Sequence, residues 1–344
     1  MSDQPETLDR VLDATLAKAG DEPVRFDVAA GKAALATALK TRAVAPPKKR
    51  NKVRWLAAAA AVTVLTGTGL AASTVDLTGT GGNSATAAEE LIKAADLASR
   101  VVDRPLAPGQ FRYVRTRYEG ITSAEGAKAW STDMTNEEWI PANRNDEWLL
   151  RATVQPSKWV AGHEGTGEPE SGSAFKNGEE FRGACGKYSY MAEGQPDRCT
   201  AGDFHNPTPE FIASLPKDPK ALLERLNAGG GPEGRALQQA REALQSGQFP
   251  AEVRANIFRA LALLPGLVVT EQRANLDGKQ GVALGVQIVS EFTEIIIDPE
   301  NGDYIGGRET IAEDLPDDQG GLDKGTVRQS SSVTTRIVDS QGGK

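Results

Sequence analysis

An apolar run of eighteen residues, Trp55 to Ala72, follows a cluster of five cations, Lys48, Lys49, Arg50, Lys52 and Arg54, and divides the chain into a short front and a long remainder. As a helix rising about 1.5 Å per residue, the run is about 27 Å long, close to the hydrocarbon thickness of a bilayer. Seven alanines, three threonines and two glycines leave Trp55, Leu56, Val62, Val64, Leu65 and Leu70 to drive insertion, so the margin is narrow. Trp55 stands where an interfacial aromatic belongs, and the cations orient the front towards the cytoplasm. The reading is a single-pass protein of the cell membrane. Residues 1–47 form a cytoplasmic, helical or partly disordered segment, 48–73 the basic cluster and transmembrane helix, and 74–85 a flexible stalk rich in Gly, Thr, Ser and Asn. The rest is extracytoplasmic.

Two other readings of the run stay open. A buried core helix of this composition would not ordinarily adjoin five clustered cations. A cleaved leader ending near Leu70-Ala71-Ala72-Ser73 would make a secreted protein, with 54 residues ahead of the apolar run. No twin-Arg pair precedes the run and no Cys follows it closely, so neither a Tat signal nor a lipoprotein anchor is written here.

Charge follows the same division. Residues 1–54 hold eleven Lys and Arg against seven Asp and Glu, while the whole chain carries −8, leaving about −12 beyond the front. Such an acidic domain lacks the clustered cations that neutralise phosphates, which argues against nucleic acid as a partner. The two cysteines, Cys185 and Cys199, both fall on the oxidising side of this topology and are expected to form a disulfide. Closing that loop stabilises the fold by roughly 3 kcal/mol in the chain-entropy model. His163 and His205 form no metal-ligand spacing with them.

Before the run, Leu8, Val11, Leu12 and Leu16 recur at helical spacing, and Asp27 is placed to cap a second helix bearing Leu35 and Leu39. These thin stripes suit either a weakly ordered tail or a docking segment, residues 1–45, for a cytosolic regulator. Without His or Cys, the front is no zinc-type anti-sigma domain. After the stalk, Thr86 and Glu89 make a capping-box pair for a helix carrying Leu91, Ala95, Ala98 and Val102, ended by Pro105.

From Phe111 the period becomes two, first to Tyr118 and then in Trp148, Leu150, Ala152 and Val154, which predicts antiparallel sheet. Trp130, Trp139, Trp148 and Trp159 recur every nine to eleven residues, the spacing of successive strands in a meander with one buried face. They are candidate core aromatics or the lining of a pocket. Residues 162–203 are polar and hold both cysteines, so they read as a long stapled loop and as the first region to probe for binding.

Thr208-Pro209 and Asp218-Pro219 each pair a capping residue with Pro at the first helical position, and Gly229 to Gly231 ends the second helix. Helical faces follow in Pro232 to Leu244 and Pro250 to Leu264, giving a helical block over about 208–264. Strands are expected over Leu267 to Leu276, Val282 to Val289, Phe292 to Ile297 and Tyr304 to Ile311, with turns at Asp277-Gly278 and Asp298 to Gly302. A polar linker and a terminal strand, Val333 to Val338, occupy 313–344. The fold class is α+β, with the outer domain over 86–312.

No catalytic pattern stands out. The chain has no G-x-S-x-G elbow, no phosphate loop and no H-E-x-x-H pair. Asp298 to Gly302 lacks the alternating acidic ligands of a calcium loop. The reading is therefore of a non-enzyme with no cofactor, no metal and no catalytic residues.

The chain resembles a family of actinobacterial single-pass membrane proteins of unassigned function, known by a locus-tag name. The likeness lies in the short helical front, the basic cluster before an Ala-rich span, Ala87 to Ala98, and Pro108-Gly109-Gln110-Phe111-Arg112-Tyr113. It continues through Leu215-Pro-Lys-Asp-Pro219 with Leu222, Phe258-Arg-Ala-Leu261 with Leu264-Pro-Gly266, and Ile297-Asp-Pro-Glu-Asn-Gly302. The resemblance implies an extracytoplasmic domain and an association with sigma-factor regulation, and it carries over no site residues. A weaker similarity, at the level of fold, is to the curved sheets of periplasmic lipoprotein carriers and of sigma-regulator sensor domains.

The expectation is thus a membrane-anchored protein whose outer domain binds or senses a lipid, peptide or envelope component. The alternatives are a membrane-tethered lipid or lipoprotein carrier, whose tryptophans would hold an acyl chain, and a secreted protein with a long leader.

Overall fold

The computed structural model describes residues 84–124, 128–169, 171, 173–192, 194, 196–228 and 235–344. The front segment, the basic cluster with Trp55, the 55–72 run, the stalk to residue 83 and the Gly229 to Gly231 helix stop lie outside them. Among the described residues no helix is long and apolar enough to cross a membrane.

Helix α1, Ser84–Ala98, starts inside the expected stalk and buries Ala87, Leu91, Ala94, Ala95 and Ala98 on one stripe. It stops short of Val102, which is 84% exposed instead of completing that stripe. The β-branched pair Val101-Val102 and the approach to Pro105 disfavour another helical turn.

The first strands are β1 (Phe111–Ala124), β2 (Lys128–Pro141), β3 (Glu147–Val154), the short β4 (Lys158–Trp159) and β5 (Glu179–Ala184). A helical block follows: α2 (Pro209–Ser214), α3 (Pro219–Leu226), α4 (Arg235–Gln245) and α5 (Ala251–Leu261). Its start signals work as their chemistry dictates. Thr208 Oγ1 accepts from Phe211 N at 3.1 Å, and Asp218 Oδ1 accepts from Ala221 N at 2.9 Å. Strands β6 (Val268–Leu276), β7 (Lys279–Ile288), β8 (Glu291–Ile297), β9 (Tyr304–Ile311) and β10 (Val327–Val338) complete the chain.

All ten strands form one antiparallel sheet in the order β5-β3-β2-β1-β10-β9-β8-β7-β6, with β4 on β2. The terminal strand expected over Val333 to Val338 is the end of β10, which lies in the middle of the sheet between β1 and β9. One expectation is corrected by this topology. The stretch 162–203, read as loop, contributes β5 to the edge beside β3. Neither pairing is local, so neither leaves a mark in sequence periodicity.

The sheet has two differently covered halves. Helices α1, α3, α4 and α5 pack on β6 to β8 around Leu91, Leu222, Leu237, Phe258, Leu284 and Ile295. Over β1 to β3 the same face is covered by the segment around the disulfide, where Tyr188 packs with Val114, Ile140, Trp148 and Leu150 and with Phe181 of β5. The opposite face is not left to solvent. Register irregularities between Val269 and Glu271 and between Glu271 and Ala274 bend β6, as bulges do. The β6–β7 tip then curls back over the sheet: Asp277 accepts from Arg115 and Arg117 of β1, at 3.1 and 2.9 Å, and from Ser332 Oγ of β10, at 3.1 Å. Within this bend Glu294, fully buried, accepts from Arg308 Nε at 2.7 Å and from Thr310 and Thr270.

Candidate functional site

The pocket worth building from its residues lies where the two coverings meet. Antiparallel register pairs Val114 with Glu138 and Thr116 with Asn136, and pairs Glu138 in turn with Leu150. Partners across strands share a face, so Glu138 and Asn136 lie in adjacent rows on the face that also carries the helices. The C-terminal end of α4 reaches this floor at Gln245 and Ser246, and the chain then turns through Gly247, whose φ is +64°. A Cβ there would lie 2.7 Å from Thr335 Oγ1, so glycine both permits the turn and lets the helix end approach the sheet.

The remaining wall comes from the disulfide segment. Cys185 and Cys199 are bonded, with an S–S length of 2.06 Å, across 14 residues of chain. Tyr188, Tyr190, Met191 and Arg198 lie inside that closed loop, and His205 follows it; all five line the pocket. The pocket is partly open to solvent and has a volume of about 80 Å³. Water takes roughly 30 Å³ per molecule in the liquid, so a few waters or one small ligand would fill it.

Polar groups dominate the lining. Tyr188 Oη donates to Glu138 Oε1 at 2.6 Å, and Gln245 Nε2 donates to Tyr118 Oη at 2.7 Å. Ser331 Oγ donates to Gln245 Oε1 at 2.9 Å, fixing that amide. Two side-chain atoms of the residues lining this pocket are buried without a hydrogen-bond partner among the described residues, the acceptor Asn136 Oδ1 and the donor Arg198 Nε. A buried polar atom without a hydrogen bond costs about 1–3 kcal/mol.

Burial raises the Glu138 carboxyl above the usual carboxylate range, against the Tyr188 hydrogen bond and the positive charges of His205, Arg198 and Arg144. Burial also raises Tyr118 to about 12, opposed by the Gln245 hydrogen bond. Burial first, and then the Glu138 charge, raises Tyr188 and Tyr190. The hydroxyls thus stay protonated, and the site is suited to hydrogen bonding. Ser246 Oγ is committed to Ala243 O at 2.7 Å, and no group on this lining is arranged as an activated nucleophile. Among the described residues, no group of three or more His, Cys, Asp or Glu is placed to hold a metal ion.

The four tryptophans are not brought together. Trp130 and Trp139 occupy opposite ends of one strand, β2, so their spacing does not mark successive strands. Trp148 packs with Leu150 and Phe181 on the pocket side, whereas Trp139 packs with Tyr113, Leu149 and Val338 on the other face. Both are fully buried, because both faces of this half-sheet are covered. Trp130 and Trp159 form an edge-to-face pair with ring centroids 5.9 Å apart. None of the four lines the pocket.

Sequence reasoning passed over Asn136 and Glu138. The signal was present in Asn136-Glu137-Glu138-Trp139-Ile140, where a period of two puts Asn136 and Glu138 on the same side as Ile140. No family model, curated protein or solved structure matches the chain.

Proposed function

We propose that this protein is a membrane-anchored binding and sensing protein, with residues 55–72 as the anchor and the sheet domain as the extracytoplasmic receptor. The observation that carries the receptor reading is the cavity floored by Asn136 and Glu138, where an acceptor and a donor are held without protein partners. Its ligand is a small molecule of a few heavy atoms, a hydroxyl or amide compound, that draws Asn136 Oδ1 as an acceptor and Arg198 Nε as a donor towards the pocket on binding. The front, residues 1–45, relays occupancy to a cytosolic regulator of the sigma-factor type. An acyl-chain carrier draws no support from the tryptophans, which are packed on two faces and surround no common cavity.

The chain holds three methionines, Met1, Met134 and Met191, and only Met191 lines this pocket. Methyl-labelled methionine spectra of the full chain, titrated with acetamide and with erythritol, test the reading. The Met191 resonance should move saturably with at least one probe while Met134 stays put, and Asn136→Leu should abolish the response. No movement with either probe, or an equal response in the variant, contradicts it. Topology is tested by protease applied to intact cells, which should spare an N-terminal tag and digest the sheet domain.

A further inference from the structure

Strand β10 outruns one of its neighbours. It pairs with β1 from Gln329 to Val338 but with β9 only from Val327 to Ser332. From Val333 to Val338, therefore, one edge of a central strand has no ladder partner among the described residues. Alternate residues of an antiparallel strand turn their N–H and C=O groups to opposite edges, so about three of these residues present a backbone donor and acceptor to the open side.

That side opens into a groove of about 600 Å³, bounded across the gap by Tyr304 and Ile305 at the start of β9. Its two faces differ in chemistry. On the helix side stand the apolar side chains of Ile337, Val101 and Val102, which are 37, 44 and 84% exposed. On the other side stand Arg336, lying over the Tyr113 ring, and Lys279, whose Nζ donates to Thr334 Oγ1 at 3.4 Å. Neither cation makes an ion pair among the described residues. Over the whole lining five cations, Arg104, Arg112, Arg254, Lys279 and Arg336, face three carboxylates, Asp103, Asp298 and Asp303. Asp103 is itself engaged by Arg254, at 3.7 Å, and by the Ala251 N–H, at 2.7 Å.

We propose that this slot receives an extended acidic peptide of a partner protein as an added strand, about six residues long. Strand addition takes its affinity from main-chain hydrogen bonds and its specificity from alternate side chains. At roughly 3.4 Å per residue, six residues run about 20 Å along β10. The period of two places apolar side chains of the peptide against Val102 and Ile337, and carboxylates against Lys279 and Arg336. An alternating apolar and acidic segment is the sequence that matches both faces at once.

The test uses the full chain and a fluorescein-labelled eight-residue peptide alternating valine and aspartate. Three further peptides serve as comparisons, one with lysine for aspartate and two N-methylated at alternate residues, one in each register. The acidic peptide should bind and should slow amide exchange within residues 333–338. The lysine peptide, and the acidic peptide on Lys279→Glu, should bind at least about tenfold more weakly, a difference near 1.4 kcal/mol. One N-methylated register should fail to bind. Absence of binding by the acidic peptide, equal binding by the lysine peptide, or binding with exchange at 333–338 unchanged would overturn the proposal. Lys279 is exposed at the first position of β7, beside the turn, so its charge can be reversed without disturbing the core.

Discussion

Glu137 and Glu138 are neighbours in sequence that face opposite ways, and their carboxyls are perturbed in opposite senses. Burial pushes both up. At Glu137 this is outweighed by hydrogen bonds from Lys344 and Tyr113, at 2.8 and 2.6 Å, which hold it below the usual range. At Glu138 burial wins. The folded state therefore binds a proton more readily than the unfolded chain at Glu138, and stability is lost as pH rises from the ordinary carboxylate range through the raised value. At Glu137 the stabilisation is present above that range and is lost as pH falls through the lowered value. Urea melts between pH 4 and pH 8 should show Glu138→Gln more stable than wild type at neutral pH and less sensitive to rising pH. Glu137→Gln should be less stable at neutral pH and should converge on wild type in acid. Val289 supplies a second residue-scale test. It is β-branched, 89% exposed and held at φ +54° in the β7–β8 turn, where glycine is the natural occupant. Replacing it with glycine should stabilise the protein by about 1 kcal/mol in the same melts, because the left-handed region penalises a Cβ by that order.

At the scale of elements, what was legible divides by range. Helix starts at Thr208 and Asp218, and the turn at Asp277-Gly278, rest on contacts within three residues, and the chain writes them openly. The tryptophan spacing misleads because β2 is fourteen residues long and holds two of the four. The pocket wall lies between these cases. Pairing of Cys185 with Cys199 follows from there being only two cysteines, but nothing local says that the closed loop lies over Glu138. Cys185→Ser with Cys199→Ser should cost about 3 kcal/mol, the chain-entropy value for a loop of this size. Amide exchange should rise over 186–206 in that variant and stay as it was over β7 and β8. Uniform loosening of the whole sheet would show that the loop is not a separate wall.

At the scale of the molecule, the sheet is continuous through β10 while its two halves are stabilised differently, one by helices and one by a stapled loop. The β6–β7 tip ties them, through Asp277 with Arg115, Arg117 and Ser332. These hydrogen bonds outweigh burial and hold the Asp277 carboxyl below its usual range, so the tie is present above that range and is lost as pH falls through the lowered value. Asp277→Asn keeps a side chain that tolerates φ +51° while deleting the charge, and should cost about 1 kcal/mol, with faster exchange at 276–279. That a C-terminal strand would complete the centre of the sheet, and that a distant hairpin would close one face, depends on pairings more than two hundred and about one hundred and sixty residues apart in sequence. The pocket inherits this, since its floor, helix end and loop come from three separate stretches. A crystallographic fragment soak of the domain tests the pocket most directly. Hydroxyl or amide fragments should cluster beside Asn136 Oδ1 and the Glu138 carboxyl; an Asn136 amide bonded to protein, with no cavity and fragments elsewhere, would contradict the account.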